Sequence, residues 1–263
     1  MKTLQSTIAL SAMCAVGTAA SADVVLTSGE AFIDGFSFTG VAAGSATIDE
    51  RIDWDGSGSG FNATIDEERT LTGTFSGFTV DNTIAQSITQ NTTILGGIGD
   101  SFRGVSTTAS AFGSIEKRGP NGGSSNNFLD SLLSLRFTVE EPGFTYDLSG
   151  VLESTSTSPL TSSVLLRRFT QPDAGGVPVE TIIISGVSGT TFPFEFDRSG
   201  SLTPGFWLLT LRINGSVDGA APPPSVSTAS FGWDVDFTIV PTPAATGVLA
   251  LAGLIATRRR RGR

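Results

Sequence analysis

The stretch FGWDVDFTI, residues 231–239, alternates apolar and polar side chains at every second position. This period of two is that of a β-strand with one buried face and one solvated face. The apolar set is Phe231, Trp233, Val235, Phe237 and Ile239, and the other set is Gly232, Asp234, Asp236 and Thr238. The stretch therefore predicts a strand that covers one side of a hydrophobic core.

The same alternation recurs in many short segments upstream. Residues 192–196 carry it, and so do residues 135–139 and 144–148, which flank the turn residues Pro142 and Gly143. We expect the last two segments to form a β-hairpin.

Other segments depart from strict alternation. Residues 181–184 and 206–213 are apolar on both faces, which predicts central strands. Residues 128–135, preceded by the capping residue Asn127, fit a short helix as well as a strand, and both alternatives stay open.

Ten or more strands with glycine- and proline-rich joints predict an all-β fold. We expect a two-sheet antiparallel β-sandwich, jelly-roll-like, over residues 23–239. The loop-like stretch 117–127 is a candidate boundary between two subdomains, but neither half has enough predicted strands for a sandwich of its own. A single domain is therefore the prediction.

Composition excludes several classes of site. The 263 residues contain no histidine and one cysteine, so sites that need an imidazole are impossible. The body without its two ends has 25 acidic and ten basic residues, a net charge of about −15. Such a charge repels phosphate backbones, so we expect no nucleic-acid partner.

The first 22 residues are typical of a secretory signal peptide. Lys2 precedes an apolar run over residues 8–16, and the small residues Ala20 and Ala22 precede Asp23. We expect signal peptidase to cleave before Asp23, which also removes the single cysteine, Cys14.

The other end, residues 240–263, has three parts. Pro241, Thr242 and Pro243 precede an apolar stretch over residues 244–257, which as a helix of about 21 Å is shorter than a hydrocarbon core of about 30 Å. A basic cluster follows, formed by Arg258, Arg259, Arg260, Arg261 and Arg263.

This tail resembles the PEP-CTERM sorting domain, with Thr242 where the family usually has Glu. The resemblance implies transient membrane insertion through a short C-terminal helix, then cleavage near the prolines by an exosortase-type transpeptidase. It also implies delivery to the bacterial surface and an association with extracellular polysaccharide.

Carboxylates within residues 45–71 suggest a catalytic pair. Glu50, Glu67 and Arg69 interrupt otherwise apolar strand faces on either side of the loop 55–60. If the two strands form a hairpin, Glu50 and Glu67 can lie opposite each other at about 5 Å, the separation that a retaining glycosidase uses. The alternative is a surface pair in which Arg69 neutralises one glutamate.

The opposite faces of the same segments carry a second acidic group. Asp49, Asp53 and Asp66, with Asp55 in the loop, provide oxygen ligands of the kind that Ca²⁺ prefers. Solvated strand faces produce the same pattern, so calcium is one of two interpretations.

Trp54 lies beside this glycine- and serine-rich loop and is a candidate platform for a sugar ring. The alternative is that it belongs to the core, as expected for most aromatic residues of a sandwich.

The favoured interpretation is an exported, noncatalytic bacterial surface or matrix protein with a structural or adhesive role. A carbohydrate-binding module is the first alternative. A glycoside hydrolase or lyase that uses Glu50 and Glu67 is the second.

Overall fold

The structure is a computed structural model that describes residues 24–41, 44–54, 56, 58–75, 77–119, 123–155, 160–172, 177–184, 193–219 and 221–242. The regular elements within these residues are strands. They are β1 Val24–Val41, β2 Gly44–Asp53, β3 Gly60–Phe75, β4 Phe78–Leu95, β5 Gly104–Arg118, β6 Ser124–Val139, β7 Phe144–Ser154, β8 Leu160–Phe169, β9 Glu180–Ile184, β10 Phe194–Leu202, β11 Gly205–Asp218 and β12 Ser225–Pro241.

The strands form two antiparallel sheets of six. Sheet A has the order β2-β1-β6-β11-β8-β9, and sheet B has the order β10-β7-β12-β5-β4-β3. The predicted all-β, two-sheet antiparallel sandwich is confirmed. Residues 128–135 belong to the long strand β6, so the strand alternative is correct and the helix alternative is wrong.

The apolar faces of both sheets meet in one main core. Phe137 of β6 lies at its centre, with ring centroids 5.2 Å from Phe102, 5.8 Å from Phe237 and 6.4 Å from Trp207. β12 has the predicted two faces, because its side chains at 231, 233, 235, 237 and 239 are all buried. Aromatic pairs of this kind add to the stabilisation that burial alone gives.

Buried polar side chains join the sheets beside this core. Gln86 of β4 lies between Ile84, which belongs to a smaller apolar cluster, and Ile88 of the main core. Its Oε1 accepts a hydrogen bond from Ser37 Oγ at 2.8 Å, and its Nε2 donates to the carbonyl of Gly35 at 3.2 Å. Both partners are on β1, so the side chain of Gln86 links sheet B to sheet A.

Further links of the same kind lie along β4. Asn82 Nδ2 donates to Thr39 Oγ1 at 3.1 Å, and Ser131 Oγ donates to Gln90 Oε1 at 2.8 Å. Buried polar groups retain stability only when they are hydrogen-bonded, so these pairs fix how the two sheets face each other.

Two strand predictions are wrong. Residues 135–139 and 144–148 do not pair, because β6 is in sheet A and β7 is in sheet B. The Pro142-Gly143 turn is present, but it carries the chain from one sheet to the other. Residues 181–184 lie in β9, which pairs with β8 and ends sheet A in the described residues, because an apolar segment can cover the core from an edge as well as from the centre.

The body continues into the start of the predicted sorting tail. Pro241 is in register with Phe144 of β7, and the backbone N–H of Thr242 donates to the carbonyl of Gly143 at 2.7 Å. Residues 1–23, with the predicted signal peptide and its cleavage site, lie outside the described residues. So do Pro243, the apolar stretch 244–257 and the arginine cluster. The described residues contain no helix that is long and apolar enough to cross a membrane.

Candidate functional site

The structure separates the predicted catalytic pair. Glu50 is in β2 and is in register with Gly35 of β1, whereas Glu67 is in β3 and is in register with Gln86 of β4. The expected hairpin between the two segments is therefore wrong, because β2 and β3 belong to different sheets. Arg69 Nη1 lies 2.9 Å from Glu67 Oε2, which confirms the neutralising ion pair.

The predicted calcium ligands are also divided. Asp49 and Asp53 are exposed on β2 of sheet A, and Asp53 pairs with Arg51 at 2.7 Å. Asp66 is exposed on β3, which belongs to sheet B and not to the sheet that contains β2. No group of three or more acidic side chains within the described residues is placed to hold a metal ion, and Asp55 lies outside them. The four aspartates are thus not one site.

Trp54 is half-buried and packs against the main core. A Cβ atom at Gly29 would lie 2.3 Å from its Cζ3, so the ring covers that glycine closely. Its backbone N–H donates to the carbonyl of Ala31 at 2.8 Å. This position agrees with the core alternative, and a ligand-binding role for Trp54 stays a prediction.

A groove of about 720 Å³ lies on the outer face of sheet B, over the neighbouring strands β5, β12 and β7. Gly232 of β12 forms its floor, in register with Ser110 of β5 and Glu153 of β7. A Cβ atom at Gly232 would lie 2.6 Å from the carbonyl oxygen of Ala109. Glycine is therefore required by the close approach of the backbones, and its missing side chain leaves space between Ser110 and Glu153.

The two sides of the groove differ in chemistry. On one side stand Phe112, which is 44% exposed, and Ser230, its partner in register. On the other side stand Asp234 and its partner Val151. An exposed phenyl ring beside hydroxyl and carboxylate groups offers an apolar platform together with donors and acceptors of hydrogen bonds.

One end of the groove is held by a local hydrogen-bond cluster. The backbone N–H of Thr155 donates to the carbonyl of Ser230 at 2.9 Å, and the N–H of Ser230 donates to Thr155 Oγ1 at 3.1 Å. The two hydroxyl groups share a further hydrogen bond at 2.7 Å. These contacts bind the end of β7 to β12, so the wall is formed before any ligand arrives.

The charge of the groove has one sign. Glu153 and Asp234 are its charged side chains among the described lining residues. Asp236 of β12 and Asp147 of β7 continue the acidic face along the strands. Arg118, at the end of β5, forms an ion pair with Glu116 at 2.6 Å and lies outside the groove.

Lys117 is a contrasting cation, 3% exposed, at the far end of β5. Its Nζ donates to the carbonyl of Gly123 at 2.8 Å and also to the carbonyl of Gly219. Burial lowers the pKa of Lys117, and the nearby Asp218 opposes this effect. The side chain joins two loops and is not part of the groove lining.

The groove was not predicted, although one signal for it is present in the sequence. Ala109, Ala111 and Gly113 occupy the buried positions of β5, so the large Phe112 falls on the polar register of its strand. Single exposed aromatic residues are common on protein surfaces, and Phe36 and Phe78 are exposed as well, so this signal does not single out the groove. The neighbours Gly232 and Glu153 are remote in sequence and gave no signal.

No protein-family model matches the chain, and no curated protein matches it. Among solved structures, the enzymatically active domain of tailspike protein 4 of bacteriophage CBA120 has 16% identity and a TM-score of 0.26, over 51% of this chain and 18% of that one. The carbohydrate-binding module TmCBM61, in complex with β-1,4-galactotriose, has 15% identity and a TM-score of 0.22, over 46% and 71%. A structure of carbohydrate-binding modules from the β-sandwich superfamily has 10% identity and a TM-score of 0.24, over 81% and 92%. TM-scores this low carry no argument about function.

Proposed function

We propose that this chain is an exported, noncatalytic bacterial surface or matrix protein whose sandwich binds an extracellular polysaccharide. The observation that carries the binding role is the preformed groove on the outer face of sheet B. Its volume of about 720 Å³ is within the range of about 300 to 1,000 Å³ that is typical of small-ligand sites.

The lining suits a sugar because a sugar ring has an apolar face and a polar rim. Phe112 and Val151 offer apolar surface for the C–H groups. Ser110, Ser230 and Glu153 offer hydroxyl and carboxylate oxygens for the sugar hydroxyls.

Export is supported by the two ends of the sequence. The N-terminal segment has the features of a signal peptide, and the C-terminal 24 residues resemble a PEP-CTERM tail. Signal peptidase and an exosortase-type transpeptidase are the processing partners in this proposal. The processed protein then resides at the cell surface or in the matrix, after a membrane-associated precursor stage.

The experiment is to extract the protein from the surface of the producing cells and to measure its intact mass and its cosedimentation with the cells' own polysaccharide. We expect a mass that lacks residues beyond about Pro243, cosedimentation with the polysaccharide, and no new reducing ends after incubation. A mature protein that retains Arg263, or one that does not bind the polysaccharide, would contradict the proposal. Release of reducing ends would favour a hydrolase instead.

A further inference from the structure

We infer that the groove on sheet B selects polysaccharides that carry free amino groups, such as partly deacetylated hexosamine polymers, and rejects acidic ones. This inference rests on the proposed function, because it names the class of sugar that the same groove binds. It is carried by the placement of the Glu153 and Asp234 carboxylates in the groove and by the negative charge around them.

Glu153 and Asp234 both border the groove floor at Gly232, Glu153 from the neighbouring strand β7 and Asp234 from further along β12. Glu153 is in register with Gly232, and Asp234 is two residues further along the same strand, so the two side chains are diagonal neighbours on one face. Diagonal neighbours across antiparallel strands are about 7 to 8 Å apart. A saccharide that lies over Gly232 is therefore next to both carboxylates.

Neither carboxylate has a basic partner among the described lining residues. Asp147 and Asp236 on the same strands add negative charge nearby, and the body as a whole carries about −15. An ammonium group on the sugar gains attraction from this field, whereas a uronate or sulfate group is repelled. A neutral sugar keeps its contact with Phe112 and is unaffected by the charge.

The test compares two matched oligosaccharides with the mature protein by calorimetric titration at low and at high salt. The probes are glucosamine oligomers and N-acetylglucosamine oligomers of equal length, with oligogalacturonate as the acidic probe. Since an exposed ion pair changes affinity by about 1.4- to fivefold, we expect the two carboxylates to favour the free-amine oligomer by roughly tenfold at low salt. This preference should shrink at high salt because exposed charges are screened.

The variant Glu153→Gln with Asp234→Asn should abolish the preference and keep the binding of the N-acetylated oligomer. The control is Asp49→Asn with Asp66→Asn, which removes the same net charge. Asp49 is exposed on sheet A, and Asp66 is exposed on β3, three strands from β12 in sheet B, so the control should keep the preference.

The outcomes separate the inference from the proposed function. Equal affinity of the wild-type protein for both oligomers overturns the inference but leaves polysaccharide binding intact. Loss of the preference in the control variant also overturns it, because the general field and not the groove would then be responsible. Tight binding of oligogalacturonate overturns it as well, and so does failure to bind any of the oligomers. The proposed glycan-binding role is overturned only if cosedimentation with the cells' own polysaccharide also fails.

Discussion

Replacing Phe137 by alanine is expected to lower the free energy of unfolding by about 3 to 5 kcal/mol. Phe137 is 1% exposed and contacts the aromatic rings of Phe102, Trp207 and Phe237. These rings come from both sheets and from the segment between β4 and β5. Removing the central ring therefore leaves a cavity that its neighbours can fill only by separating from their own contacts.

Urea denaturation of the mature protein measures this effect. We expect the slope of the free energy of unfolding against urea concentration to be the same in the variant and the wild-type protein. Phe78→Ala is the matched control, since Phe78 is 61% exposed and its loss should change stability by less than about 0.5 kcal/mol. Equal effects of the two substitutions would mean that the aromatic cluster is not the centre of the core.

Gln86→Leu is expected to destabilise the sandwich by about 2 to 4 kcal/mol, although leucine is the more hydrophobic residue. The substitution leaves the Ser37 hydroxyl and the Gly35 carbonyl without the partners that Gln86 provides. A Cβ atom at Gly35 would lie 2.5 Å from Gln86 Nε2, so the site is shaped for this amide. Unsatisfied buried groups account for most of the expected loss.

Chemical denaturation again provides the measurement, with Gln171→Leu at an exposed turn as the control for the same exchange. Adding Ser37→Ala to Gln86→Leu should recover part of the stability, because one orphaned group is then removed. Wild-type stability in Gln86→Leu would show that the polar links between the sheets contribute nothing.

The strands and their buried faces follow from the sequence because the two-residue period is a property of the extended backbone. Residues 231–239 illustrate this, since each predicted inward side chain of β12 is buried. β11, predicted as a central strand, lies between β6 and β8. The alternation within one strand therefore predicts its buried face, although the apolar run 181–184 did not predict the position of β9 in its sheet.

Strand partners do not follow from the same pattern. The alternation in residues 135–139 and 144–148 is compatible with a hairpin and with a crossing between sheets, because both arrangements bury the same side chains. β2 and β3 gave the same error, which placed Glu50 opposite Glu67. The pairing of each strand depends on the packing of the whole sandwich, and a short segment of sequence contains no information about that packing.

The groove depends on this missing information. Its strands β5, β12 and β7 are neighbours in sheet B but far apart in the chain. Phe112 alone carries a local signal, because it stands on the polar register of β5. The floor at Gly232 and the carboxylate of Glu153 join Phe112 only after the sheet order is known.

The central claim is that the groove on sheet B binds polysaccharide. The affinity of the Phe112→Ala variant for the producing cells' own polysaccharide tests it most directly. The lost apolar contact should weaken binding about tenfold, which corresponds to about 1.4 kcal/mol. Phe36→Ala is the matched control, because Phe36 is 41% exposed on sheet A and should keep wild-type affinity. If Phe112→Ala binds as tightly as the wild-type protein, or if Phe36→Ala loses as much affinity, then the groove on sheet B is not the binding site.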